Sequence, residues 1–157
     1  MRKIQDINPK TSASVSTLLQ THVQAAAGLH VQVRTVTARF GAPYIAVMKG
    51  LAQVGCSFSI DNIQSPDLDM SRLRELNVRF VKIEAAQLIR MGDTHNGIDV
   101  VQRFKHNLLS AGAAMIVERI ETERDLRELL DFEVDYGEGF LFGKPDLEIA
   151  YRPRKTA

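Results

Sequence analysis

The chain is short of the residues that mark several functional classes, and each shortage removes one class. Cys56 is the only cysteine, so no internal disulfide framework can form; a lone thiol fits a reducing compartment and a small buried residue. No apolar run approaches the roughly 18 residues of a membrane span, and "MRKIQDINPKTS" lacks the apolar core of a secretion signal. A cytoplasmic protein with no membrane association is expected. Charge of one sign is missing too: the formal net charge is +1, with Lys and Arg spread along the chain, which gives no electrostatic reason to expect nucleic acid as a partner. His22, His30, His95 and His106 lack a ligand spacing such as H-E-x-x-H and are read as surface or core residues. "GEGFLFG" has glycines without the order of a phosphate loop.

What is present is a regular alternation in a chain of 157 residues, 45% of them hydrophobic, enough for one core. Residues 1–150 are expected to form a single unit, and 151–157, with "YRPRK", a short basic tail. "KIQDIN" suggests a short strand. "SASVSTLLQTHVQAAAG" then has Ser12 or Ser14 as N-cap, an apolar face through Val15, Leu18, Leu19 and Val23, and Gly28 at its stop. "LHVQVRTV" alternates like a strand, and "PYIAVMKGLAQVG" follows as a helix with Pro43 near its start. "CSFSID", "VRFVKIE" and "AAMIVERIE" read as further strands. "SPDLDMSRLRELN", "GIDVVQRFKHNLLSAG" and "TERDLRELLDF" read as helices, the last with Thr122 and Asp125 at capping-box spacing. "DYGEGFLFG" closes the series as a glycine-rich strand and loop.

Strands separated by helices imply a parallel sheet, and hence the α/β class. Asp61, Glu84, Glu118 and Glu138 each fall at or near the carboxyl end of a strand, with Lys82 inside "VKIE". Acidic residues are common at exposed strand ends. Four in succession, on the one face that strand ends share in a parallel barrel, read as a site.

The motifs at those ends resemble the EAL-domain family, the cyclic-di-GMP phosphodiesterases. "FSIDNIQSPDLDMSRLRELNVRFVKIE" is similar to the family's D-D-F-G loop, leucine-rich helix and I-K-I-D strand. "MIVERIETERDLRELLDFEVDYGEGFLFGKP" is similar to its A-E-G-V-E-T strand, helix and Q-G-Y-L-F-G-x-P loop, and the likeness is continuous from about Leu29 to Pro145. The resemblance implies a (β/α) barrel of TIM-like type and hydrolysis of one phosphodiester of cyclic-di-GMP by a pair of Mg²⁺ or Mn²⁺ ions held by carboxylates, beside a catalytic lysine. Carried over residue by residue, it matches Asp61 to the bridging metal ligand, Lys82 to the catalytic lysine and Glu118 to the first glutamate of A-E-G-V-E. Glu84 takes the place of the aspartate of I-K-I-D, Glu121 that of the second glutamate, and Asn8 in "DINPKTS" that of a metal-binding asparagine. Asp61, Glu121 and Glu138 are also candidate remnants of a nucleotide site.

Departures from the family pattern fall on the metal ligands. Asn62 replaces the second aspartate of D-D-F-G. Where the family has E-I-T-E this chain has "VQVR", so the expected glutamate falls on Val31, or on Gln32 with a one-residue shift, and Arg34 stands for the second acid. Glu138 replaces a glutamine, and the E-A-L strand is absent. The ligands at Asp61, Asn62, Glu84 and Asn8 are therefore expected to be vestigial, as are Lys82 and Glu118 in catalysis, with no cofactor required. Two functions remain open: a degenerate, regulatory or protein-interacting EAL domain that binds cyclic-di-GMP weakly or not at all, or a Mg²⁺- or Mn²⁺-dependent phosphodiesterase completed by a longer chain or a partner. A full barrel typically takes about 250 residues. The barrel is thus expected to be partial, its open edges covered by a second copy in a homo-oligomer or by another protein.

Overall fold

The computed structural model describes residues 28–34 and 42–143; the strand and helix expected before Leu29, and the basic tail, lie outside them. The described residues form a five-stranded sheet in the order β1-β2-β3-β4-β5 with every neighbouring pair parallel. Its strands are β1 (His30–Arg34), β2 (Ser57–Asp61), β3 (Val78–Glu84), β4 (Ala114–Glu118) and β5 (Tyr136–Gly137). Helix α1 (Ala42–Gln53) joins β1 to β2 and α2 (Met70–Glu75) joins β2 to β3. Both α3 (Ala85–Gly92) and α4 (Gly97–Ser110) lie between β3 and β4, and α5 (Glu123–Leu130) leads to β5 and the 3₁₀ turn Phe140–Phe142.

Local chemistry sets most of these boundaries. Gly55 and Gly112 follow α1 and α4 with φ of 90° and 81°, the left-handed conformation in which a glycine ends a helix without a Cβ clash. After Gly112 the chain makes the paired closing bonds of such an ending, Gly112 N to Leu109 O and Ala113 N to Leu108 O, both 2.9 Å. The capping box of α5 forms as its spacing suggests, with Thr122 and Asp125 each accepting the other's backbone N–H. Helix α2 is shorter than the leucine pattern suggested, because the Asp69 side chain accepts from Arg72 N and starts the helix there. Helix α3 was not anticipated: it begins at the residue after β3 with no side-chain cap, so no turn signal separates strand from helix.

Strands taken in sequence order by right-handed crossovers put all helices on the same side of the sheet. That side is apolar. Val31, Phe58, Ile60, Val81, Ile83, Met115 and Val117 are buried there in one core with Met48, Leu51, Leu73, Leu88, Phe104, Leu108 and Leu129 from the helices. The opposite side takes the alternate residues, and an irregularity decides which residues those are. Phe58 pairs with Val78 but Ser59 pairs with Phe80, so Arg79 is an extra residue in β3. Side chains alternate along a strand, and an inserted residue would exchange the faces of all that follow unless a bulge absorbs it. The irregularity absorbs Arg79, so Val81 and Ile83 share the helix side with Val78 while Lys82 and Glu84 point away from the helices. No described helix is long and apolar enough to cross a membrane.

Candidate functional site

The helix-free face carries His30 and Gln32 from β1, Ser57, Ser59 and Asp61 from β2, Phe80, Lys82 and Glu84 from β3, and Glu118 from β4. Asp61, Glu84 and Glu118 end their strands and Glu138 follows β5, so the acids expected at the carboxyl ends do meet at one rim. Lys82 sits between them, 6% exposed. Its Nζ donates to Glu118 Oε1 at 2.7 Å and to Glu138 Oε1 at 2.6 Å. Asp61 Oδ2 accepts from Gln32 Nε2 at 2.8 Å, and Asp61 is hydrogen-bonded to Glu118 as well.

Two carboxyl groups in such contact cannot both be charged without cost, and they share a proton unequally. Burial pushes Glu118 up to about 7, reinforced by its hydrogen bond to Asp61 and opposed by Lys82. Burial acts on Asp61 in the same direction. It is outweighed there by the hydrogen bonds from Glu118 and Gln32, the charge of Lys82 and the Asn62 backbone, which hold Asp61 below its ordinary value. The shared proton therefore belongs to Glu118. Burial would also lower the Lys82 ammonium, but bonds to Glu118 and Glu138 keep it above the usual lysine value.

Other expected site residues are placed differently. Asn62 takes a left-handed backbone with φ 58°, and its Oδ1 accepts from Gln64 Nε2 at 2.6 Å. Glu84 is paired with Arg119, whose Nη1 lies 3.3 Å from Glu84 Oε1. Glu121 is exposed on the link between β4 and α5, outside the Lys82 group. Asn8 lies outside the described residues. The open choice between Val31 and Gln32 is resolved by the fold: Val31 is buried in the helix-side core, and Gln32 reaches the site.

Some neighbours were not anticipated as part of this face. His30, read as a surface or core residue, lies at the strands' amino-terminal end of the face, with Nδ1 2.8 Å from Ser57 Oγ and its ring edge-on to Phe80. Burial and then the charge of Lys82 hold its pKa below the ordinary histidine value. Only the alternation of β1, with His30 and Gln32 in phase, could have signalled it. Arg119 stands where the motif A-E-G-V-E has glycine and keeps a glycine-like φ of 58°.

The donor set does not fit a pair of divalent ions. Among the described residues, no group of three or more His, Cys, Asp or Glu is arranged to hold a metal ion. Gln32 and Asn62 supply amides where the resemblance implies carboxylates, and Lys82 and Arg119 already engage Glu118, Glu138 and Glu84. What the cluster can do as it stands is hold a buried charge network and place one carboxyl that exchanges its proton near neutrality.

Comparison with known proteins agrees with the fold. The chain is 23% identical over 96 residues to cyclic di-GMP phosphodiesterase PdeA of Borreliella burgdorferi, a match covering 61% of this chain and only 14% of that protein. The PaMucR phosphodiesterase, solved as a c-di-GMP complex, superposes with a TM-score of 0.65 at 20% identity over 92% of this chain and 62% of that one. The Bacillus subtilis YkuI protein, solved with its EAL domain in complex with c-di-GMP and calcium, does so with a TM-score of 0.60 at 17% identity, over 85% of this chain and 33% of that one. The family model described as the EAL domain matches residues 5–145. The partial parallel α/β sheet, the acids at its strand ends and that match lead to one conclusion: this chain belongs to the EAL domain family.

Proposed function

We propose that this chain is a catalytically degenerate EAL domain that acts as a regulatory or protein-interaction module in cyclic-di-GMP-linked signalling. The observation that carries the reading is Gln32 Nε2 on Asp61 at 2.8 Å: an amide, which brings no negative charge, sits beside the residue matched to the bridging metal ligand. Asn62 repeats the substitution at the next position of the motif. Hard divalent ions are held by charged oxygens, and each carboxylate replaced by an amide weakens both water activation and charge neutralisation at the phosphoryl group. Lys82 and Arg119 are engaged by Glu118, Glu138 and Glu84, and the charge of Asp61 opposes the phosphates of cyclic-di-GMP, so binding of that nucleotide is weak or absent. The purified protein is expected to form no linear pGpG from cyclic-di-GMP with Mg²⁺ or Mn²⁺. Metal-dependent turnover that disappears in Lys82→Ala overturns the reading.

A second reading has its own support, since Asp61, Lys82 and Glu118, matched to ligand and catalytic residues, lie within one hydrogen-bonded group. On that reading the domain is a Mg²⁺- or Mn²⁺-dependent phosphodiesterase whose remaining ligands come from a longer chain or a partner. The chain spans 14% of the PdeA relative and 62% of the PaMucR chain it matches, and a longer chain carrying the whole domain separates the readings in the same assay. The module is expected to work as a homo-oligomer or with a protein that covers the sheet edges. Light scattering during size-exclusion chromatography at micromolar concentration should give twice the chain mass; a stable monomer contradicts this.

A further inference from the structure

We propose that the edge of β5 facing away from β4 is a docking surface for this chain's own residues 144–157, which return along it as an added antiparallel strand and bring their basic end to the acids that precede β5. The inference holds whether or not the domain is catalytic, and it assigns an occupant to one of the two sheet edges.

Among the described residues β5 pairs with β4 alone, and both its residues are exposed. Aromatic rings flank this edge on both sides. Tyr136 lies edge-on to Phe80 on the helix-free face. On the other face, a Cβ added to Gly137 would come within 3.7 Å of the Phe142 ring. Tyr136, Phe140 and Phe142 are 53%, 62% and 58% exposed. A strand edge carrying such rings is a surface suited to being covered. Area decides between occupants: at about 200 Å² for each aromatic side chain the three offer roughly 350 Å². That is less than half of the roughly 800 Å² each partner gives to a stable interface. A tethered segment needs less, because its high effective concentration offsets much of the association cost.

The segment that follows β5 has the position, pattern and charge for this. Gly143 closes a turn, its N donating to Phe140 O at 3.1 Å, and Leu141 N donates to Ile120 O at 3.1 Å, which holds the turn at the carboxyl rim beside the end of β4. The chain leaves there, at the end from which a strand antiparallel to β5 would start, and no crossover is needed. Pro145 and Pro153 bound a run in which Leu147, Ile149 and Tyr151 alternate with Glu148 and Ala150, the pattern of a strand with one apolar side. Extended, Lys144 to Tyr151 reaches about 26 Å, against about 17 Å for a strand the length of β4. Arg152, Arg154 and Lys155 therefore arrive at the amino-terminal end of β5. The stretch there is acidic: Asp131, Glu133 and Asp135 are exposed, and Lys105 engages Asp135 at 3.3 Å, one cation for three acids. With the tail on β5, the edge at β1 is left to the oligomer.

The test is peptide-resolved hydrogen exchange with hydroxyl-radical labelling of the full chain, of Ile149→Pro, which removes a strand donor, and of the pair Arg152→Glu/Arg154→Glu. In the wild type the amides of 147–151 should exchange about tenfold or more slowly than in Ile149→Pro, and labelling of Tyr136 and Phe140 should rise in that variant. The charge pair should lose part of the protection, and more of it at low salt. Protection of β2, β3 and β4 should stay unchanged in both variants. Wild-type tail amides that exchange as fast as those of Ile149→Pro overturn the proposal, and so does a protected tail with unchanged labelling of Tyr136 and Phe140, which would place it elsewhere. Protection that appears only at high protein concentration assigns the edge to a second copy and overturns it too. If Ile149→Pro disturbs the sheet, the charge pair decides, and unchanged tail protection there overturns the proposal. Turnover of cyclic-di-GMP by the wild type would defeat the functional reading and leave this one standing.

Discussion

Within β3, Val81 and Ile83 face the helices while Lys82 and Glu84, their immediate neighbours, face away. The same backbone serves two kinds of interior. On the helix side, apolar area removed from water supplies the stability, at roughly 25 cal/mol per Å², and no partner has to be exact in chemistry. On the other side Lys82, Asp61 and Glu118 are buried nearly as deeply, and each depends on a named atom of another strand. The difference is one of replaceability: a core side chain can be exchanged for another of similar volume, whereas a charge removed from the network leaves its partner uncompensated.

Unfolding measurements can break that comparison. Phe58, fully enclosed on the helix side, should give the largest effect: Phe58→Ala is expected to cost about 3–5 kcal/mol in urea unfolding. A loss under 1 kcal/mol, on the order of a surface change, would mean that side is loosely packed. Lys82→Met should cost about 3 kcal/mol at pH 8 by the same method, since it leaves Glu118 and Glu138 without their ammonium partner. The cost should shrink at pH 5, where Glu118 is protonated. Glu118 sharpens the point further. Folded, it keeps its proton up to about 7, against a reference of 4.5. Between those values the folded state binds more protons than the unfolded one, so stability is full below pH 4.5 and declines as pH rises through 7. The melting temperature should fall across that window in the wild type and stay flatter in Glu118→Gln. Asp61 acts in the opposite sense, and only at lower pH, because its folded pKa is depressed. The smallest effect is expected from Gln32→Ala, about 1.5 kcal/mol for one half-buried hydrogen bond to a charged acceptor.

The helix side was the more legible of the two in the sequence. Period-two and helical spacing marked β1 to β4, α1, α4 and α5, because burial of one face imposes those periods. The acids at the strand ends could be placed on one rim for the same reason. Helix α3 was missed because Glu84 ends a strand and precedes a helix at once, with no loop chemistry between. Which of Val31 and Gln32 enters the site depends on strand phase, and a one-residue ambiguity in alignment is enough to hide it. Arg119 gave no sign of its left-handed backbone, since the usual mark of that conformation is glycine, and glycine is what it replaces.

The extra residue Arg79 has a consequence for how this sequence can change over generations. Substitutions at Asp61, Asn62 or Gln32 alter the chemistry one group at a time and leave the sheet intact. Losing the codon for Arg79 would likewise only restore regular pairing with β2, whereas losing the one for Val81 would bring Lys82 and Glu84 into the apolar layer and turn Ile83 out of it, with nothing beneath the helices to receive an ammonium. The length of β3 from Phe80 to Glu84 should therefore be inherited more strictly than either Arg79 or the identity of the groups at the rim.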